Sequence, residues 1–466
     1  MDPIQQLLTN AGGQISYDDL RQLNDALRKS ADIGYQTPAT GGGNLAPLVP
    51  QSIEGMLSST TFEETDIVIF PRMPKTMAGQ TVHEYPVVTS RGKRTSPFVA
   101  EGSPGVNNSS AYKRGSVQIK FLLEKREVTD VATMTGLIGV NPQALANETE
   151  QGKMSLLEKA EIALLHADSA VDPLAFDGLI KQVKAGGNVT DLAGATATLD
   201  LLEWVLGEVG ASPYYGHPDT CYVEPRVYRD LSRQQNAGNR NPSDGGGRTN
   251  GTDDLKIVGP RGKIPVVAAP FLHVADAPDA SASSAGAPVM PTLAQQPTDN
   301  GSGTSKWVTG DAGNYFYKLV ANGGETGYSA PVTSNVIAAV ADSKIKMTVT
   351  STPSDVVFYS LYRSDKDADA ATATFVGNFA ANPGGTTTIT DLNDNRTKTS
   401  CILFVQHKPE VMEFARLLDF IRRPIPSLRL TQAFALLLFG SPIVKVPSKC
   451  WLIVNVAASA PLTLPL

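Results

Sequence analysis

Cysteine and histidine are scarce in this chain. Three cysteines in 466 residues, Cys221, Cys401 and Cys450, lie far apart, form no CxxC pair and are odd in number. That excludes a disulfide framework and a cysteine zinc site, and predicts three reduced, buried thiols in a protein made in a reducing compartment. The five histidines (His83, His166, His217, His273 and His407) are scattered, with no HExxH pair among them. A GxSxG elbow is missing. The runs Gly41-Gly42-Gly43 and Gly245-Gly246-Gly247 lack the Lys-Ser/Thr of a phosphate loop, and Gly259-Pro260-Arg261-Gly262-Lys263 lacks its spacing. No catalytic, cofactor-binding or metal-binding residues are therefore expected, and an enzyme is disfavoured. Long apolar runs are also lacking. The most apolar stretch, residues 433–439, falls far short of the roughly 20 helical residues needed to cross a bilayer core of about 30 Å. The first residues, MDPIQQLLTN, show no cationic start followed by an apolar run. Positive charge is short as well: 40 Lys and Arg against 46 Asp and Glu give a net charge of -6, which disfavours a protein devoted to gripping nucleic acid.

Glycine and proline, by contrast, are abundant at 41 and 32 residues, which predicts many turns and ordered loops. The length implies two or three domains. Near the N-terminus Ser16 is placed to cap a helix through Leu20, Leu23 and Leu27. Residues 31–50 contain Pro38, Pro47 and Pro50 and the triple glycine, so regular structure is excluded there. Leu45, Leu48 and Val49 are too apolar to stay in solvent, so the segment reads as an extended arm lying on another surface, such as a neighbouring chain.

Residues 66–132 read as β-structure: a short strand at 66–70 (DIVIF), a second at 82–88, and a long one at 116–128 with Val117, Ile119, Phe121 and Leu123 on one face and Gln118, Lys120 and Glu124 on the other. Between the last two lies a polar stretch carrying Arg91, Lys93, Arg94, Lys113 and Arg114. Two strands joined at a basic tip make a projecting hairpin, and such a ribbon is marginally stable alone, so it is expected to rest on something outside its own domain. The acidic balance of the chain, with Glu101 and Glu124 nearby, favours a protein neighbour over DNA.

Asn141-Pro142 marks the start of a helix running to about His166. A second helix spans 199–209 with Leu202, Val205, Leu206 and Val209 inward, a third 225–235, and 263–269 is a core strand. Composition shifts near Asp276 to a linker with an edge strand, followed to about Asn395 by alternating strands and glycine turns, which argue for a β-sandwich of about 100 residues. Its aromatics, Tyr315, Tyr317, Tyr328, Phe358, Tyr359 and Tyr362, read chiefly as core rather than as a sugar platform. After it come a helix at 410–421 with Val411, Phe414, Leu417 and Leu418 inward, and strands at 431–439, 443–446 and 449–456. This tail completes the fold begun before residue 275, which makes the β-sandwich an insertion.

The order of elements resembles the Hong Kong 97-type major capsid proteins of tailed bacteriophages. GGGNLAPLVPQSIEGML (41–57) resembles that family's arm, 77–128 its extended loop, and NPQALANETEQGKMSLLEKAEIALLHADS (141–169) its spine helix; the insert, with DVVFYSLYRSDKD (355–367) and GTTTITDLND (385–394), is similar to fibronectin type III or bacterial immunoglobulin-like modules. The resemblance implies an α+β chain divided into an N-terminal arm (1–65), extended loop (66–132), peripheral domain with spine helix (133–198), axial domain (199–275), inserted immunoglobulin-like β-sandwich (276–400) and a return to the core (401–466). It further implies self-assembly into hexamers and pentamers of an icosahedral head enclosing double-stranded DNA, built in the host cytoplasm, with scaffold, portal and decoration proteins as further partners and no membrane. Leu45, Leu48, Val49, Arg91, Lys93, Arg94, Lys113 and Arg114 are then the candidate inter-subunit contacts. Some relatives crosslink a loop lysine to an asparagine; Lys93 or Lys113 occupies a comparable position, but no partner asparagine or glutamate is identifiable. The arm begins close to Met1, which leaves open a separate scaffold or an earlier cleavage. An encapsulin-like nanocompartment shell, and a binding protein that grips glycans or proteins with its β-sandwich, are the alternative readings.

Overall fold

A computed structural model describes residues 62–93, 96–105, 107–134, 144–238, 255–260, 262–273, 278, 280–290, 293–299, 305–426 and 430–459. The expected N-terminal helix, the arm with Leu45, Leu48 and Val49, and Arg94 lie outside them. Most of the described residues belong to one compact unit, 61–130 with 145–466.

In this unit the chain opens with a 3-10 turn (Glu64–Asp66) and a one-turn helix, α1 (Ile69–Arg72). The segment 66–70 is thus a turn and a helix, not the strand its composition suggested. The cause is distant in sequence: the buried carboxylate of Glu161 accepts the amide protons of Ile69 and Phe70, each at 2.8 Å, so the groups a strand neighbour would need are already taken. Burial pushes the Glu161 carboxyl up despite these donors. Strands β1 (Lys75–Met77), β2 (Val82–Ser90), β3 (Ala111–Gln118) and β4 (Lys120–Thr129) follow. The predicted strand 116–128 is therefore two strands, broken at Ile119, which is buried. The apolar face does not stay on one side across the break: Ile119 is buried, but Phe121 and Leu123 are 60% and 59% exposed. Their neighbours Glu124 and Arg126 turn inward and pair with helix α2 (Ala144–His166), through Lys159 at 2.5 Å and Glu148 at 3.5 Å.

Next come α3 (Leu179–Ala185), β5 (Val189–Asp191), α4 (Leu199–Gly210), β6 (Thr220–Val223), α5 (Pro225–Gly238), β7 (Lys256–Gly259) and β8 (Gly262–Ala268). Thr198 caps α4 by accepting from the Leu201 amide, and Leu202, Val205, Leu206 and Val209 are its buried stripe, as the spacing predicted. Strands β9 (Leu293–Asp299), β10 (Gly313–Tyr315), β11 (Tyr317–Asn322), β12 (Val332–Thr333), β13 (Ile337–Ala339), β14 (Ile345–Val349), β15 (Phe358–Arg363), β16 (Thr374–Ala380) and β17 (Thr387–Asp391) pair, among the described residues, only with one another. They form antiparallel sheets ordered β12-β11-β15-β16, β17-β14-β9 and β10-β13. Their shared core holds Trp307, Tyr315, Tyr317 and Tyr359, the last three being aromatics read from sequence as core. Through that core runs a buried ion pair, Arg363 to Asp391 at 2.6 Å, with the guanidinium 4.7 Å over the Trp307 ring.

The chain then returns. β18 (Thr399–Val405) pairs with β6, β19 (Met412–Ile425) with β1, β20 (Thr431–Val444) with β4, and β21 (Trp451–Ala457) with β5. Two sheets result, β1-β19-β20-β4 and the mixed β5-β21-β18-β6-β8-β7. The helix expected at 410–421 is strand β19. Its first residues, Met412 to Ala415, are buried without a break because both edges are paired and both faces covered, a condition that overrides the helical spacing of the apolar side chains. Polar contacts hold the β9–β17 region to the six-stranded sheet. Lys306 meets Asp191 at 2.8 Å, Asn455 donates to Asp394 O at 3.0 Å, and the Arg396 amide donates to Asn455 at 3.0 Å.

Candidate functional site

Among the described residues, the part with least internal support is the β2–β3 hairpin. Its strands pair antiparallel from Val82–Gln118 to Ser90–Ala111, with a register shift between Val88 and Ser90, yet no residue of either strand is buried. What fixes it is the root. The Ile119 amide donates to Thr81 O at 2.8 Å, and Ile119 packs with Ala78, Ala415 and Ile443. Ser441 Oγ donates to Gln118 O at 2.7 Å and accepts from the Lys120 amide at 3.2 Å. Beneath β2 lies Glu413 of β19, its side chain only 3% exposed. It accepts from Thr76 Oγ1 at 2.9 Å, pairs with Lys445 Nζ at 2.8 Å, and has His83 Nε2 3.4 Å away. Burial, and then the Glu413 charge, push the Tyr85 phenol up. Gly115 lies beneath that ring, where a Cβ would come within 2.5 Å of it.

Beyond the root the ribbon stands free of the described body. At its tip Asn108 clips the two arms together, accepting from the Lys93 amide at 2.7 Å and donating to Lys93 O at 2.9 Å. Gly92 adopts φ +113, and the Asn108 side chain occupies the space a Cβ would need. Of the sequence-predicted contacts, Arg91, Lys93, Lys113 and Arg114 are exposed on this ribbon, and Arg114 pairs with exposed Glu84 at 3.2 Å. Sequence reasoning missed the apolar residues beside them. Phe98 is 88% exposed, Val88, Val99 and Tyr112 are more than half exposed, and Val82 is half exposed. Phe98 and Val99, flanked by proline and glycine with no periodic partner, could have been found as an apolar pair in an otherwise polar loop.

A second apolar surface without a partner among the described residues lies on the face of the β1-β19-β20-β4 sheet opposite α2. Phe121 stacks edge-on against Phe439 at 4.8 Å, and Leu123 stands opposite Leu437. Exposed apolar groups in this number on a stable chain mark surfaces for docking. Among the described residues no cluster of His, Cys, Asp and Glu has metal-binding geometry. The three cysteines are buried, with burial pushing Cys401 up to about 12 and Cys450 to about 11.

No family model matches the chain. A protein of Enterococcus phage phiEF24C, provisionally named as a major capsid protein, is 23% identical over 465 residues, spanning 94% of this chain and 96% of that protein. Among solved structures, the capsid of the native GTA particle aligns at TM-score 0.47 and 9% identity over 91% of this chain and 100% of that one. The Cyanophage P-SCSP1u capsid aligns at 0.44 and 10% over 92% and 98%, and the SrpI encapsulin of Synechococcus elongatus PCC 7942 at 0.41 and 9% over 90% and 97%.

Proposed function

We propose that this chain is the major capsid protein of a tailed bacteriophage, of the Hong Kong 97 type, self-assembling as hexamers and pentamers into an icosahedral head around double-stranded DNA. The observation that carries the reading is the hairpin: a ribbon without a single buried strand residue, bearing Phe98 and Val99 at its tip. Two-stranded ribbons are marginal in water, so it gains its stability by covering another molecule. The end-to-end match to a phage protein named for a capsid role supports a second copy as that molecule. Arg91, Lys93, Lys113 and Arg114 would set its register on acidic neighbours, and Phe121 and Leu123 give the sheet a receiving surface. Residues 276–400 form, in this reading, an immunoglobulin-like insertion displayed on the outside of the shell. Support comes from strands β9 to β17, which pair, among the described residues, only with one another around their own core. The role is structural rather than enzymatic, exercised in the virion after assembly in the host cytoplasm, with scaffold, portal and decoration proteins as accessory partners.

Electron microscopy of the expressed chain tests the proposal. Closed particles tens of nanometres across are expected, and a monomer that persists under all assembly conditions would contradict it. Particles that enclose a co-purifying enzyme instead of nucleic acid would replace the phage head by a nanocompartment.

A further inference from the structure

Helices α4 and α5 cover the same core, Leu202, Val205, Leu206 and Val209 from the first and Val227 and Leu231 from the second. Gln234 of α5 ties the two together, accepting from the Leu199 amide at 3.0 Å and donating to Ala197 O at 2.9 Å. Their solvent faces are opposite in charge. On α4 the exposed residues are Asp200, Glu203, Trp204, Gly207 and Glu208, with no cation among them. None of the three carboxylates has a hydrogen bond or ion pair among the described residues. In their midst Trp204 is 51% exposed, held edge-on against Trp451 at 6.3 Å. On α5 the exposed positions Arg226, Arg229 and Arg233 recur three and four residues apart and so form one stripe. The acid on that helix, Asp230, is buried and occupied by the amide and hydroxyl of Ser459 and by Arg229. Arg226 is 3.5 Å from Glu224, and Arg233 has no partner among the described residues.

Isolated exposed ion pairs contribute little, so charge alone would leave both faces as solvated surface. The tryptophan changes that reading. A half-exposed indole amid uncompensated carboxylates is a receptor for a planar cation, with the guanidinium stacking on the ring and forking to the acids. Large aromatics and arginines are the residue types that anchor interfaces. The molecule itself supplies the complementary surface on α5.

We propose that α4 of one copy binds α5 of a second, with Arg226 and Arg233 entering among Asp200, Glu203 and Glu208 and a guanidinium stacking on Trp204. The inference rests on the shell reading and deepens it by naming a contact between subunits. Repeated head to tail, the contact is heterologous and propagates from copy to copy, closing into a ring where the rotation allows.

Charge reversal tests it. Glu203→Arg with Glu208→Arg, and separately Arg226→Glu with Arg233→Glu, place like charges face to face and are expected to lower particle yield at least about tenfold. Circular dichroism should be unchanged, since all four side chains are exposed. The chain carrying all four reversals restores opposite charges and is expected to recover assembly. Where a reversal lowers the melting temperature, the mixed pair of chains Glu203→Cys and Arg233→Cys gives an independent reading, an inter-chain disulfide on oxidation. The inference is overturned if either reversal assembles like the unaltered chain. It is equally overturned if the fourfold reversal stays unassembled and no disulfide forms, or if reversing the arginines removes only packaged nucleic acid. Unaltered protein that never forms particles would defeat the shell reading itself, a separately readable outcome.

Discussion

Replacing Glu413 by alanine probes the root of the hairpin. Its carboxylate is almost wholly buried: Oε2 serves Thr76 of β1 and Lys445 just beyond β20, while Oε1 makes no hydrogen bond among the described residues, with His83 of β2 3.4 Å away. Removing one partner of a buried ion pair costs about 3–5 kcal/mol, because the remaining charge is left without compensation. Lys445 keeps a bond to Pro409 O at 2.9 Å and its side chain is 17% exposed, so the lower end, about 3 kcal/mol, is expected. Glu413→Gln keeps an acceptor for Thr76 and loses only the charge, and should cost about 1–2 kcal/mol. Urea unfolding of the unassembled chain gives the stability change, and hydrogen exchange across 82–118 reports whether the ribbon has loosened. Faster exchange there, with little change in the β9–β17 region, is expected of the alanine variant. A loss below about 1 kcal/mol with unchanged hairpin exchange would refute the argument that this buried carboxylate holds the root.

Three further outcomes follow from the same coordinates. Gly440→Ala brings a Cβ within 2.2 Å of the Phe414 ring and 3.0 Å of Ala415 O in the middle of the β19–β20 pair, and should cost about 1–3 kcal/mol, read as a lowered unfolding midpoint. Thiol reagents at pH 8 should modify none of Cys221, Cys401 and Cys450 in the native chain and all three after denaturation; rapid native labelling would show that the burial is wrong. In Asp191 and Asp219, burial opposes the charged form but is outweighed by hydrogen bonds, from Lys306 and Asn455 to the first and from His407 to the second, so both carboxyls titrate below their usual value of 3.8. Their stabilisation is complete above pH 3.8 and is lost as pH falls through the lowered folded values, so Asp219→Asn should flatten the acid side of the stability profile, and an unchanged profile would refute it.

The features legible in sequence are those whose cause is local. Helix α4 announces itself through the spacing of Leu202, Val205, Leu206 and Val209, a stripe that is buried in full. The hairpin follows from two alternating runs around a polar tip, and strands β11, β14 and β15 from their own alternation. The misread segments are governed by partners far along the chain. Residues 66–70 become helical because Glu161, 91 and 92 positions away, takes the amides of Phe70 and Ile69. Val411, Phe414, Leu417 and Leu418 fit a helix, but β1 and β20 claim that backbone on both sides. On β4 the alternation marks two faces without saying which is inside. The decision comes from Lys159 and Ser155 of α2, which draw Glu124 inward and leave Phe121 and Leu123 outside. The same limit hid the exposure of Phe121 and Leu123, whereas Phe98 and Val99 are legible as an apolar pair in a polar loop.

The most direct test of the account is hydrogen exchange across residues 82–118, compared between assembled particles and the dissociated chain. Strong protection of the ribbon on assembly, centred on Phe98, Val99 and Tyr112, is predicted. Equal, rapid exchange in both states would contradict the claim that this hairpin is completed by a neighbouring copy.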